Sequence, residues 1–170
     1  MKKTIILWQI AGFIFTGVLG VLLHFLYDIS NQNTVVAIFS AVNESIWEHL
    51  KLLFFPMFLF AIIQKWYMGK YFNNFWCVKL TGIALAIALV PILYYTINGI
   101  FGSMADWFNI AIFYIASACA YIVEAMLFLK NILPCKSPRT AVAVLFTFAF
   151  LFALFTFYPP SFPIFQPPVL

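Results

Sequence analysis

Five runs of roughly twenty apolar residues, separated by short polar or basic stretches, decide what this chain can become. They occupy residues 4–27, 45–66, 76–97, 107–129 and 140–158. A helix of about 20 residues crosses roughly 30 Å of hydrocarbon. Inside a bilayer only a helix or a closed barrel satisfies its own backbone. The expected fold is therefore all-α, a polytopic membrane helix bundle of about five transmembrane helices. A mean hydropathy of +1.04, with 65% hydrophobic and 8% charged residues, excludes an ordinary soluble domain. Residues 1–158 are expected to form the bundle and 159–170 a proline-rich extracytoplasmic tail packed on its outer surface. Lys2 and Lys3 ahead of the first run suggest a signal peptide, but that run is too long and lacks a small-x-small cleavage site before Asp28. It reads as a retained span. Residues 35–42 are too few to cross and fit an interfacial or re-entrant turn.

The charges order the spans. Lys2, Lys3, Lys65, Lys70, Lys79, Lys130, Lys136 and Arg139, eight of the nine basic residues, fall at one end, and Lys51 is the exception. By the positive-inside rule that end faces the cytoplasm, with the N-terminus in and the C-terminus out. Asp28, Glu44, Glu48, Asp106, His24 and His49 then gather at the opposite, outer face. The scattered basic residues form no groove-tracking patch, so nucleic acid is not an expected partner; the bilayer is, and a homo-oligomer or a protein partner stays open. Cys77, Cys119 and Cys135 show no metal-type spacing, and two of them lie on the cytoplasmic side, where disulfides are rare. All three read as unpaired.

Polar residues concentrate in one segment, Asn43-Glu44-Ser45-Ile46-Trp47-Glu48-His49-Leu50-Lys51, at the start of the second span. Ionisable groups at a membrane helix end are costly and mark a site. On a helix Glu44, Glu48 and Lys51 share one face, with Ser45 and His49 beside it. Ser45 and Glu48 also fit a capping box. His24 and Asp28 end the first span one turn apart, so the carboxylate is placed to fix the imidazole tautomer. If the two helix ends meet, His24, Glu44, Glu48 and His49 suit a divalent metal such as zinc. Two other readings stand beside the metal: a satisfied polar cluster tying helices together, and an anionic or zwitterionic ligand held by Lys51 and the histidines. His24, Asp28, Asn43, Glu44, Glu48, His49, Lys51 and Tyr95 are the candidate ligand-binding residues.

Elsewhere, Gln9, Phe13, Thr16, Gly20, His24 and Tyr27 form one stripe of the first helix, suited to packing. Tyr114, Ser117, Tyr121 and Glu124 share a face of the fourth span. Glu124 is an acid inside a span and needs a partner, with Gln9 and Lys79 the candidates. Pro56 and Pro91 lie within spans and should kink them. Trp8, Trp66, Trp76 and Trp107 lie near interfaces, while Trp47 fits either a belt or a pocket wall. The tail from Tyr158 cannot be helical and is expected to lie along the outer surface, docked by Phe162 and Phe165.

The set His24-Phe25-x-Tyr27-Asp28, the Asn43-to-Lys51 segment and Phe155-Thr-x-x-Pro-Pro-x-x-Pro-x-Phe165 resembles a family of small bacterial multi-pass membrane proteins of unknown function. The resemblance spans most of the chain. It implies a bacterial inner-membrane location and supplies no activity, ligand or cofactor. It also implies an Asp-Pro and a Gly-x-Tyr-Gly continuation where this chain has Gln166-Pro167-Pro168.

Three functions fit these residues. One is binding or transport of a small solute or lipid headgroup at an outward-facing polar site. Another is a membrane-embedded metal-dependent hydrolase, with His49 or Glu48 as base. The last is a structural or accessory membrane subunit.

Overall fold

The computed structural model describes residues 1–102 and 105–167, without the side chain of Asp106. The expected position of that acid, and the tail beyond residue 167, lie outside the described residues. Helix α1 spans Lys2–Ile29, α2 Thr34–Ala37, α3 Ile46–Met68, α4 Phe75–Phe101, α5 Asp106–Lys130 and α6 Pro138–Phe157. Five of the six are long and apolar enough to cross a membrane, and no strand occurs among the described residues. The chain is all-α.

Helix α3 is the centre of the bundle. Two-thirds (67%) of its most apolar stretch is buried, against 17–39% for the other four long helices. It touches α1, α4 and α6, and α5 closes the ring between α1 and α4. The remaining helices keep large apolar faces exposed, such as Leu7, Ile14, Val18 and Leu22 on α1. In water such surface would drive aggregation, and in lipid it costs nothing.

Pro56 sits within a continuous α3. Its missing N–H frees the carbonyl one turn earlier, that of Leu52. Gly20 of α1 comes against this carbonyl: a Cβ there would lie 2.9 Å from the Leu52 oxygen and 2.8 Å from the Phe113 ring. A proline on one helix and a glycine on the other thus let two backbones approach. His24 lies one turn beyond Gly20 and His49 one turn before Leu52, so this crossing brings the histidines together.

The stretch 35–42 is neither a span nor a free loop. Asn33 caps the one-turn helix α2, accepting from the N–H groups of Val35 and Val36. The chain then folds back on α1, where the buried Ser40 hydroxyl donates to the Leu23 carbonyl and accepts from the Tyr27 N–H.

The cysteine expectation is overturned. Cys77, in the first turn of α4, is disulfide-bonded to Cys135 of the α5–α6 connection, and Cys119 alone is free. The sequence argument rested on compartment chemistry and carried no information on proximity. Two residues 58 apart in sequence meet because α4 and α5 pack as an antiparallel pair.

Two of the nine lysines and arginines are not free charges. Lys51 and Lys79 are 0% and 1% exposed and are ion-paired to Glu48 and Glu124. The seven others all lie at one end, here called the basic end. The opposite end carries His24 and His49.

Candidate functional site

The polar segment divides into two groups that face different ways. Helix α3 begins at Ile46 with Ser45 as its cap, in extended geometry, and the Ser45 hydroxyl accepts from the Glu48 N–H. Glu44 therefore precedes the helix, and the i, i+4 relation that seemed to join it to Glu48 does not exist. Only half of the capping box forms. The Ser45 N–H goes to Asn43 Oδ1 at 2.8 Å, while Glu48 turns back to the Val42 N–H at 3.0 Å. Asn43, an expected ligand residue, uses its carbonyl to shape the turn.

Glu48 and Lys51 form the inward group. Lys51 Nζ lies 2.6 Å from Glu48 Oε2 and donates to the Ala37 carbonyl at 2.7 Å and to Thr156 Oγ1 at 2.8 Å. That uses all three ammonium protons. The Thr156 hydroxyl lies 3.0 Å from Glu48 Oε1 and 2.9 Å from the Phe152 carbonyl, both acceptors for its proton. This network pins α2 and α6 to α3. Neither Glu48 nor Lys51 faces the histidines. Periodicity alone could not find Thr156 or the Ala37 carbonyl, because neither is near in sequence.

His24, Glu44 and His49 form the outward group. Each offers a ligand atom, and the three atoms lie within 4.8 Å of one another. His49 Nε2 is 3.3 Å from Glu44 Oε2, and His24 Nε2 is 3.9 Å from Glu44 Oε1. The imidazole centroids are 5.4 Å apart. Tetrahedral zinc with ligand bonds near 2.0–2.1 Å places neighbouring donor atoms about 3.3–3.4 Å apart. The His49–Glu44 edge already matches, and the widest separation, at most 4.8 Å, closes with a shift of up to about 1.4 Å.

The expected pairing of His24 with Asp28 does not form. Asp28 is exposed, and His24 Nδ1 is buried without a hydrogen-bond partner. His49 is oriented instead: its Nδ1 lies 2.9 Å from the Ser45 carbonyl. A carbonyl only accepts, so Nδ1 carries a proton, and in the neutral ring Nε2 presents a lone pair. This is the outer-shell arrangement that metal-bound histidines use.

Tyr95 does not join either group through the bonds described here. It is 45% exposed on α4, and its ring meets Tyr94 at 5.4 Å. Trp47 forms a wall between α6 and the tail, with ring centroids 4.7 Å from Phe152, 5.5 Å from Phe155 and 4.8 Å from Phe165. Phe165 therefore docks the tail, and Phe162 remains 66% exposed. Glu124, the acid within the apolar part of α5, pairs with Lys79 at 2.5 Å, and Gly82 makes room for its carboxylate on the facing helix.

A surface groove of about 450 Å³ runs along α1 between Phe13 and Leu22, with Gly17, Val21 and Tyr114 among its walls. Val21 and Gly17 lie one and two turns below His24 on the same helix face.

Five long apolar helices, with polar groups at one end and free basic residues at the other, are compatible with a multi-pass integral membrane protein. The chain belongs to DUF6512, a family of unknown function whose model matches residues 1–169. No curated protein and no solved structure matches it.

Proposed function

We propose that this chain is a multi-pass protein of the cell membrane that holds a divalent transition cation, zinc by its ligand chemistry, between His24, Glu44 and His49. The cation presents its open position to a small anionic solute or lipid headgroup on the extracytoplasmic side. The observation that carries this reading is the meeting of two acceptors. With its Nδ1 proton committed to Ser45, the neutral form of His49 directs a lone pair at Glu44 Oε2 across 3.3 Å. Two acceptors at that distance need a positive group between them, either a proton or a metal. A third ligand, His24, beside the same carboxylate favours the metal.

Three protein ligands leave one coordination position, and Glu44 is 67% exposed. The apolar groove along α1, which ends at Leu22 just short of His24, favours a lipid headgroup over a free solute. The open position also suits a hydrolase. That reading needs a base beside the metal, yet Glu48 is spent on Lys51 and His49 serves as a ligand. Binding is the better-supported function.

Metal analysis of the purified protein after dialysis tests this. About one zinc per chain is expected, with His49→Ala weakening binding by roughly tenfold or more. Substoichiometric metal, or full retention in His49→Ala, would end the proposal.

A further inference from the structure

In the half of the bundle nearer the basic end, besides the capping residue Asn74, four helices bury a polar side chain: Gln9, Gln64, Lys79 and Glu124, each 4% exposed or less. Their placement follows one rule. Gly12, Phe60 and Tyr121 meet in the core, where a Cβ on Gly12 would touch both rings. Lys79 Nζ lies 5.4 Å from the Tyr121 ring centroid and 5.9 Å from that of Phe60. One turn from this apolar layer towards the basic end come Gln9 on α1, Gln64 on α3 and Glu124 on α5. One turn further come Ile5, Met68, Phe75 and Phe128, which pack as a separate apolar cluster. A polar layer is thus sealed between two apolar plates.

Its atoms are not satisfied by one another. Gln9 Oε1 and Nε2, Gln64 Oε1 and Glu124 Oε1 are buried without hydrogen-bond partners. Orphaned groups of this kind are rare and costly. The set is rich in acceptors, and Lys79 spends only one N–H, on Glu124 Oε2. Water answers both needs, because it donates to the oxygens and accepts from the ammonium.

We propose that this layer is an internal water site through which Glu124 exchanges a proton with the basic end. The proton passes from hydronium to the free Oε1, turning the carboxylate into a carboxylic acid while Lys79 keeps its ammonium; the reverse step returns it to water. Lys79 and Tyr121 are the titratable groups facing Glu124, and the Tyr121 hydroxyl is engaged by Thr16 Oγ1 at 2.8 Å. The exit is short on this side, where the plate of Ile5, Met68, Phe75 and Phe128 is one turn, about 5 Å, thick. On the other side the large apolar core intervenes. The inference does not depend on metal at the histidine end.

Infrared difference spectra of the protein in lipid vesicles, recorded on a downward pH step, test it. A carboxylic acid C=O band is expected that shifts in ²H₂O and is absent from Glu124→Gln. Identical spectra for the two proteins would overturn the proposal. Gln9→Leu/Gln64→Leu leaves the ion pair in place and covers the case in which Glu124→Gln does not fold. In this variant the deuterium shift of the band is expected to slow by tenfold or more, and an unchanged rate would equally overturn it.

Discussion

The bundle holds two buried lysine–glutamate pairs, and they are finished differently. At the histidine end Lys51 and Glu48 exhaust each other and their surroundings: three ammonium protons and both carboxylate oxygens have partners. At the basic end Lys79 and Glu124 share one contact, and Glu124 Oε1 is left over. A closed network of this kind positions helices and has no valence to spare for a ligand. An open one retains chemical potential for a guest. Residue type did not separate these roles, since both pairs are lysine with glutamate. The number of unspent donors and acceptors did.

The largest test of that contrast is to remove each lysine. Lys51→Met strands a buried carboxylate and should cost about 3–5 kcal/mol in unfolding from mixed micelles. The double variant Lys51→Met/Glu48→Leu should recover most of the loss. Lys79→Met should cost less, about 2 kcal/mol, because water in the layer can take over part of the lost bonding. Equal losses at the two sites would erase the distinction between closed and open.

A smaller effect is expected where α1 crosses α3. Gly20→Val inserts a side chain where even a Cβ lies 2.9 Å from the Leu52 oxygen, at a cost of about 1–3 kcal/mol. Because His24 rides one turn beyond that contact, the variant should also weaken zinc binding by about tenfold without changing any ligand. If zinc affinity is unaffected, the crossing does not set the histidine spacing.

These outcomes bear on what the amino-acid order could disclose. The five long helices were legible because length and apolarity are local properties, and Lys79 was a candidate partner for Glu124 because both lie near the same end of the bundle. The polar segment was harder. Reading Glu44 and Glu48 onto one face assumed a helix that already included residue 44. The cap at Ser45 places Glu44 outside the helix, and two apparent neighbours part company. Lys51 looked available to a ligand because its other partners, the Ala37 carbonyl and Thr156, belong to distant elements. Gln64 drew no attention as a lone polar residue in an apolar span, since its meaning comes from three other helices. Asp28 was assigned to His24 by spacing, but an exposed carboxylate at a helix end is better solvated by water.

The smallest expected effect concerns the tie at the basic end. The Cys77–Cys135 bond joins α4 to the α5–α6 connection beside the open pair. Chain-entropy arguments for a loop of this length allow up to about 4 kcal/mol, but membrane-inserted helices have already lost most of that freedom. Reduction should therefore cost only about 1 kcal/mol. It should also leave the closed Lys51–Glu48 network undisturbed, because that network lies at the other end of α3. Alkylation in intact cells adds a sharper reading. If the seven free basic residues face the cytoplasm, as the positive-inside rule expects, this cysteine pair lies there too, in a reducing compartment. The disulfide of the structure forecasts the opposite: Cys77 and Cys135 then label in cells only after reductant, and labelling of both without it would place the pair in the cytoplasm. Protection of the pair in cells would reverse the assigned orientation and turn the histidine end towards the cytoplasm.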